Sequence, residues 1–268
     1  MKQSLRISQL ILAGAGVLAA VGCSPKPEGE VVSKSASGTK VAESPAAAER
    51  HDNVLVRVIN ATPGTVDVWA DSQKAFSSVS AKHTTDYKEF HDNNNITFRL
   101  RRAGQASSTD PIATNHEIVN DGSYHTIVVV PGDSGKNMDL RIVADEQKPV
   151  EAGKARVRVI NAARDAGEID VVAPGQKDPV FGGVNFEREA GYKDVDPVTG
   201  SLQVRRQDGK GTAATIPNSK LVAGKTYTIV VTNAGHSAGA LQGITVTDEI
   251  GTSSAGAMRP AMTDTTTH

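Results

Sequence analysis

The chain has 268 residues, with 29 Lys and Arg against 30 Asp and Glu and a formal net charge of −1 at pH 7. This balance excludes the strongly basic surface on which nucleic-acid binding depends, so we expect no nucleic-acid partner. The chain has one cysteine, which excludes an intramolecular disulfide and leaves apolar burial to stabilise the fold.

Residues 1–22 have the pattern of a secretory signal peptide. Lys2 and Arg6 give a positive start, an apolar run follows over residues 7–21, and the small residue Gly22 precedes the single cysteine, Cys23. The run is too short and too rich in Ala and Gly for a membrane span. We expect cleavage between Gly22 and Cys23.

The segment Ala20-Val21-Gly22-Cys23 resembles the lipobox of bacterial lipoproteins, although that family usually has Leu where this chain has Ala20. The resemblance implies a diacylglycerol and an acyl chain such as palmitate on Cys23, and therefore the lipid bilayer as a partner. Two or three chains anchor stably because each buried CH₂ contributes about 0.8 kcal/mol. Ser24, in place of an Asp that favours the inner membrane, favours the periplasmic face of the outer membrane or the cell surface. In the alternative interpretation, Cys23 is incidental to an ordinary secretory signal.

Low-complexity segments flank the central part of the chain. Residues 23–53 are rich in Pro, Ser, Ala, Glu and Lys, and this composition predicts a disordered tether behind the lipidated cysteine. Residues 251–268 predict a disordered tail for the same reason.

The chain contains an internal repeat. The run Val-Arg-Val-Ile-Asn-Ala occurs at residues 56–61 and again at 157–162, and the run Thr-Ile-Val-Val occurs at 126–129 and again at 228–231. A repeat of about one hundred residues indicates a duplicated domain and not a solenoid. We therefore predict two domains, residues 54–148 and residues 154–250.

Each copy shows short apolar runs that alternate with polar residues and are separated by turn residues. The alternation, rich in β-branched residues, is typical of strands, as in residues 54–59 and 96–101. About seven such strands in each copy predict an all-β fold of two tandem antiparallel β-sandwiches of immunoglobulin-like size. A barrel is the alternative.

The repeated run, followed by Val-Asp-Val at 66–68 and Ile-Asp-Val at 169–171, resembles the start of the family called domain of unknown function 4397. In the second copy, residues 178–192 and 222–231 resemble later segments of that family. The first copy departs from it at His125, where the second copy has Tyr227. The resemblance implies an exported, often anchored β-sandwich and brings no catalytic residues.

Charged residues recur on the predicted strands. If the first two strands of each copy form a hairpin, Arg57 faces Asp67 and Arg158 faces Asp170 as stabilising cross-strand pairs. The alternative is a ligand groove that both copies share.

Four residues are candidates for binding. Alternation places Trp69, the only tryptophan, on the outer face of its strand, where an exposed aromatic side chain commonly binds a sugar or a partner. Arg99 and Arg101, and the corresponding Arg205 of the second copy, are suited to binding carboxylate or phosphate groups. The alternative is a solvated basic sheet face that discourages edge aggregation.

Motifs for catalysis, metal binding or cofactor binding are absent from the sequence, which contains no nucleophile elbow, phosphate loop, dinucleotide fingerprint or metal-ligand spacing. We therefore expect no catalytic residues, no metal and no cofactor. The favoured function is a non-enzymatic, membrane-anchored envelope module that binds another envelope protein or a glycan. A pure spacer or stalk is the alternative, and an envelope hydrolase is the third hypothesis.

Overall fold

The computed structural model of the protein describes residues 53–90, 95–117, 122–132, 137–207, 212–234 and 239–248. The signal peptide with Gly22 and Cys23, the tether up to residue 52 and the tail lie outside the described residues, so their predicted features stay predictions.

The first half of the described chain contains eight strands. Their bounds are β1 Val54–Asn60, β2 Val66–Ala70, β3 Gln73–Val79, β4 Lys88–Phe90, β5 Ile96–Arg102, β6 Ala113–Glu117, β7 Tyr124–Pro131 and β8 Met138–Asp145.

The second half repeats the same eight strands in the same order. Their bounds are β9 Ala155–Asn161, β10 Ile169–Val172, β11 Phe181–Val184, β12 Glu189–Val195, β13 Val198–Arg206, β14 Thr212–Leu221, β15 Thr226–Asn233 and β16 Leu241–Thr247. A single 3₁₀ turn, Arg164–Ala166, lies between β9 and β10.

Each half is a pair of four-stranded sheets, which confirms the predicted all-β sandwich class. The inner sheets have the strand orders β4-β1-β7-β8 and β12-β9-β15-β16, and the outer sheets have the orders β3-β2-β5-β6 and β11-β10-β13-β14. Neighbouring strands are antiparallel, except that β1 pairs with β7 and β9 with β15 in parallel. The first two strands of each half lie in different sheets, so the expected hairpin is wrong.

Two apolar cores lie between the sheets, one in each half. In the first half, Val56 and Val58 of β1 pack against Val66 and Val68 of β2 and the ring of Phe98. The second half has an equivalent core, made by the counterparts of these strands.

A third apolar cluster joins the two inner sheets. β1 and β9 are buried along their whole lengths, because one face of each strand points into its own core and the other face meets the opposite half. The apolar residues of this contact are Ile59, Ala61, Val128 and Val130 from the first half, and Ile160, Ala162 and Val230 from the second. The described residues of the two halves accordingly belong to one compact unit.

Candidate functional site

Four buried charged side chains lie between the two inner sheets, and we call them the central charge cluster. They are Arg57 and Asp145 from the first half and Arg158 and Asp248 from the second. Arg57 forms an ion pair with Asp248, and Arg158 forms one with Asp145, so each arginine pairs with the aspartate of the other half. All four side chains are at most 2% exposed, so the cluster is shielded from water. Its two arginines balance its two aspartates in charge.

Hydroxyl groups complete the cluster with the same geometry in each half. In the first half, the hydroxyl of Thr126 accepts a hydrogen bond from Arg57 Nε at 2.9 Å and lies 2.8 Å from Asp145 Oδ2. The Tyr87 hydroxyl donates to the same oxygen at 2.7 Å, and the Tyr87 ring lies 4.8 Å from the Arg57 guanidinium carbon.

The second half repeats this arrangement. Thr228 accepts from Arg158 Nε at 2.9 Å, and Tyr192 donates to Asp248 Oδ2 at 2.8 Å. The two halves are thus related by a reciprocal exchange of partners, as in a symmetric dimer interface.

The burial of this cluster moves the pKa values of its members. Burial alone would lower the pKa of Arg57, but the charges of Asp248, Tyr87 and Asp145 and the hydrogen bond to Asp248 together outweigh it, and the pKa is raised. Burial, followed by the negative charge of Asp145, raises the pKa of the Tyr87 hydroxyl far above its usual value. Burial raises the pKa of Tyr192 in the same way. The tyrosines therefore stay protonated donors, and the arginines stay charged.

The cluster corrects the predicted role of Arg57 and Arg158. Neither faces the aspartate of its own second strand, because that strand lies in the outer sheet. Asp67 instead accepts hydrogen bonds from Lys74 Nζ at 2.7 Å and from two backbone N–H groups, those of Ser78 and Gly104. Burial would raise the pKa of Asp67, but these hydrogen bonds outweigh it and hold the pKa below its usual value.

Trp69, Arg99 and Arg101, which are separate candidates in the sequence, lie together on the outer sheet of the first half. Trp69 of β2 is the register partner of Arg99 of β5, and the Arg101 guanidinium carbon lies 5.2 Å from the centroid of the indole. With Asp71, Ser72 and Ser107, these side chains line an open groove of about 470 Å³. We call it the Trp69 groove.

The three side chains have different surroundings. Arg101 is 5% exposed and donates to the backbone oxygens of Ser107 and Thr109, so it fixes the loop beside the groove. Arg99 is half-buried and donates one hydrogen bond, to the Asp71 backbone oxygen at 2.7 Å. Trp69 is also half-buried, and its Nε1 is buried without a hydrogen-bond partner among the described residues. The indole is therefore less open than the sequence predicted.

Arg205 is not part of this groove. It lies on β13 in the outer sheet of the second half, where it donates to the Lys177 backbone oxygen and the Gln203 side chain. The register places Val172 and Gln203 where the first half has Trp69 and Arg99. The second half therefore keeps the equivalent of Arg101, which is Arg205, but lacks the equivalents of Trp69 and Arg99.

Two further observations concern only the described residues. No group of three or more His, Cys, Asp or Glu side chains in these ranges could hold a metal ion. No helix in the same ranges is long and apolar enough to cross a membrane.

Comparison with known proteins places part of the chain in a family context. The family model "Domain of unknown function (DUF4397)" matches residues 54–172, which are the first half and the first two strands of the second. This match supports the resemblance that the sequence motifs indicated. A comparison with curated proteins finds no match.

Two solved structures show distant likeness. The C-terminal domain of AlgF from P. aeruginosa is 23% identical, with a TM-score of 0.29, and the match covers 36% of this chain and 99% of that one. A candidate cell adhesion protein from Bacteroides ovatus ATCC 8483 is 10% identical, with a TM-score of 0.20, and the match covers 76% of this chain and 97% of that one. At such TM-scores neither likeness carries an argument about function.

Proposed function

We propose that this protein is a lipid-anchored, non-enzymatic binding module of the bacterial cell envelope, and that the Trp69 groove binds an anionic glycan. The observation that carries the proposal is the convergence of one aromatic and two guanidinium side chains on a single groove. Acylation of Cys23 would hold the module at the bilayer, and the tether would give the groove its reach.

The chemistry of the groove favours an anionic sugar over a neutral one. Arg99 uses one of its guanidinium nitrogens for the Asp71 backbone, and an arginine fork suits a carboxylate. Lys74 also lies beside the indole, with its Nζ 5.5 Å from the Trp69 ring, but its charge is paired with Asp67 at 2.7 Å.

The fold suits presentation of such a groove. Binding residues on a sheet face are held more rigidly than residues on a free loop, and rigid groups lose less entropy when a ligand binds. The central charge cluster and the apolar contact hold the two inner sheets together. The outer sheet that carries the groove packs on the apolar core of the first half.

Fluorescence of Trp69 gives a direct test, because Trp69 is the only tryptophan in the chain. The full-length protein would be titrated with polygalacturonate, an acidic glycan, and with dextran, a neutral one. We expect a saturable change with polygalacturonate alone. Arg99→Gln introduces the residue type that the second half has at the equivalent position. It should weaken binding at least tenfold, which corresponds to the loss of one charge-assisted contact.

Arg205→Gln is the matched control and should bind as the wild type does. The glycan proposal fails if polygalacturonate leaves the Trp69 emission unchanged, or if both arginine variants weaken binding equally. An unchanged emission would favour the spacer alternative.

A further inference from the structure

Both halves have an opening at the same end of the sandwich, of about 500 Å³ in the first half and about 450 Å³ in the second. Phe90 lines the first opening, whereas the second reaches Val157 of β9 and Ile229 of β15. The strand registers define the equivalent positions: Phe90 and Val195 each pair with the first residue of their inner-sheet neighbour, Val54 and Ala155. In the outer sheets, Phe98 of β5 is equivalent to Leu202 of β13. Two phenylalanines of the first half thus become smaller aliphatic residues in the second.

Three aromatic rings lie between the opening of the first half and the inner strands β1 and β7, which do not line it. Phe90 lies edge-on to Phe98, with ring centroids 6.1 Å apart, and tilted against Phe76 at 6.2 Å. Lys88 covers the outside of this group, since its Nζ lies 5.4 Å from the Phe76 ring.

One of the three rings remains in the second half. Phe181 is the counterpart of Phe76, and Lys193, the counterpart of Lys88, lies 5.1 Å from its ring. The two exchanges remove about seven side-chain carbon atoms, as many as one benzyl group contains, and surroundings that relax only partly leave a cavity. A cavity of about 450 Å³ is present at this end, and both Val195 and Leu202 line it.

The walls of this cavity are apolar and its mouth is charged. Val157, Val171, Leu221 and Ile229 form the walls together with Phe181. The mouth carries Lys154, which pairs with Asp196 at 2.8 Å, and Asp194, which Arg156 holds at 2.7 Å.

We propose that this cavity is a binding site for a small molecule that carries one aromatic ring, with a polar substituent directed at the charged mouth. The ring takes the place that Phe90 fills in the first half and packs against Phe181, the partner that both halves retain. Aromatic rings favour edge-to-face contacts of this kind. Apolar cavities lined by aliphatic and aromatic side chains stay dry and accept such rings. The proposal is independent of the Trp69 groove, which lies in the other half.

Phenol and cyclohexanol are suitable probes, because they have the same ring size and the same hydroxyl group. Ligand-observed saturation-transfer NMR and thermal melting would be recorded with the full-length protein. We expect phenol to bind saturably and to raise the melting temperature by about 2–6 °C near saturation, and cyclohexanol to bind at least tenfold more weakly. Equal binding of the two probes, or no binding of phenol, would overturn the proposal.

Exchange of the equivalent residues sharpens this test. Val195→Phe installs the residue of the first half and should abolish phenol binding, and Leu202→Phe serves the same purpose if the first variant does not fold. Phe90→Val should create a second phenol site in the first half. Arg99→Gln, which alters only the Trp69 groove, should leave phenol binding unchanged. Retention of phenol binding by a folded Val195→Phe or Leu202→Phe protein would show that the cavity is not the site.

Discussion

Arg57 forms a buried ion pair with Asp248, which lies 191 residues further along the chain in the other half of the molecule. The reciprocal pair, Arg158 with Asp145, is equally buried, and Arg158 also has Glu189 of its own half at 3.5 Å. Each half therefore buries an arginine that pairs with a buried aspartate of the other half. A buried charge without its partner is costly, so the inner sheets favour association over separation.

Removal of one charged residue of a reciprocal pair should lower the free energy of unfolding much more than replacement of both residues by apolar ones. Arg57→Ala leaves Asp248 buried without its cation, and we expect the free energy of unfolding to fall by about 3–5 kcal/mol. The double variant Arg57→Met, Asp248→Leu removes both charges and should lose clearly less. Denaturant unfolding of the full-length protein measures both values.

The second pair supplies the control for this comparison. Arg158→Ala should cost at least as much as Arg57→Ala, since Arg158 is equally buried, forms the reciprocal ion pair and has Glu189 as an additional partner at 3.5 Å. If the double variant were as unstable as the single variant, an unpaired buried charge would not explain the loss of stability.

The buried tyrosines make stability fall at high pH. The folded pKa values of Tyr87 and Tyr192 are raised, whereas the unfolded side chains ionise near pH 10. The stabilisation is therefore fully present below about pH 10 and is lost as pH rises above it, because only the unfolded state releases the protons. The Tyr87→Phe, Tyr192→Phe protein should lose less stability between pH 9 and pH 11 than the wild type, as judged by urea titration at each pH. Parallel curves for the two proteins would contradict this assignment.

Asp67 makes stability fall at low pH. Its folded pKa lies below the usual value, so its contribution is present above about pH 4 and is lost as pH falls towards the folded pKa. Asp67→Asn cannot titrate and should flatten the loss of stability between about pH 5 and pH 2.

The lipid anchor is tested by Cys23→Ser. We expect this substitution to move the protein from the membrane pellet to the soluble fraction, since the predicted acyl chains require the cysteine sulfur. Ser24→Cys in the Cys23→Ser background tests whether the position matters, and it should not restore the anchor. Membrane fractionation that is unchanged in Cys23→Ser cells would exclude the lipobox interpretation.

The sequence predicted the strands better than it predicted the partners of their charged side chains. Alternation in residues 54–59 and 96–101 identified β1 and β5, because the side-chain period of a strand is a local property. Arg57 was matched with Asp67 because both are near in sequence. Its true partner lies across a contact between sheets, which alternation along one strand does not encode. The available signal was the recurrence of Asp145 as Asp248 beside apolar strands.

The candidate site was predictable in part for the same reason. Trp69, Arg99 and Arg101 share an outward face, and this follows from alternation once β2 and β5 are neighbours. The burial of Arg101 beneath the loop that contains Ser107 depends on that loop's path and was not predictable. The cavity of the second half could be recognised only from the strand register, which aligns Val195 with Phe90.

Cleavage of the linker in the purified protein tests most directly whether the two halves form one body. A specific protease site would be inserted between Lys148 and Lys154, and the cut protein would be analysed by gel filtration with and without Arg57→Ala. We predict that the cut halves co-elute at the size of the intact protein, and that Arg57→Ala promotes their separation. Elution of the cut wild-type halves as two separate, folded monomers would contradict this account.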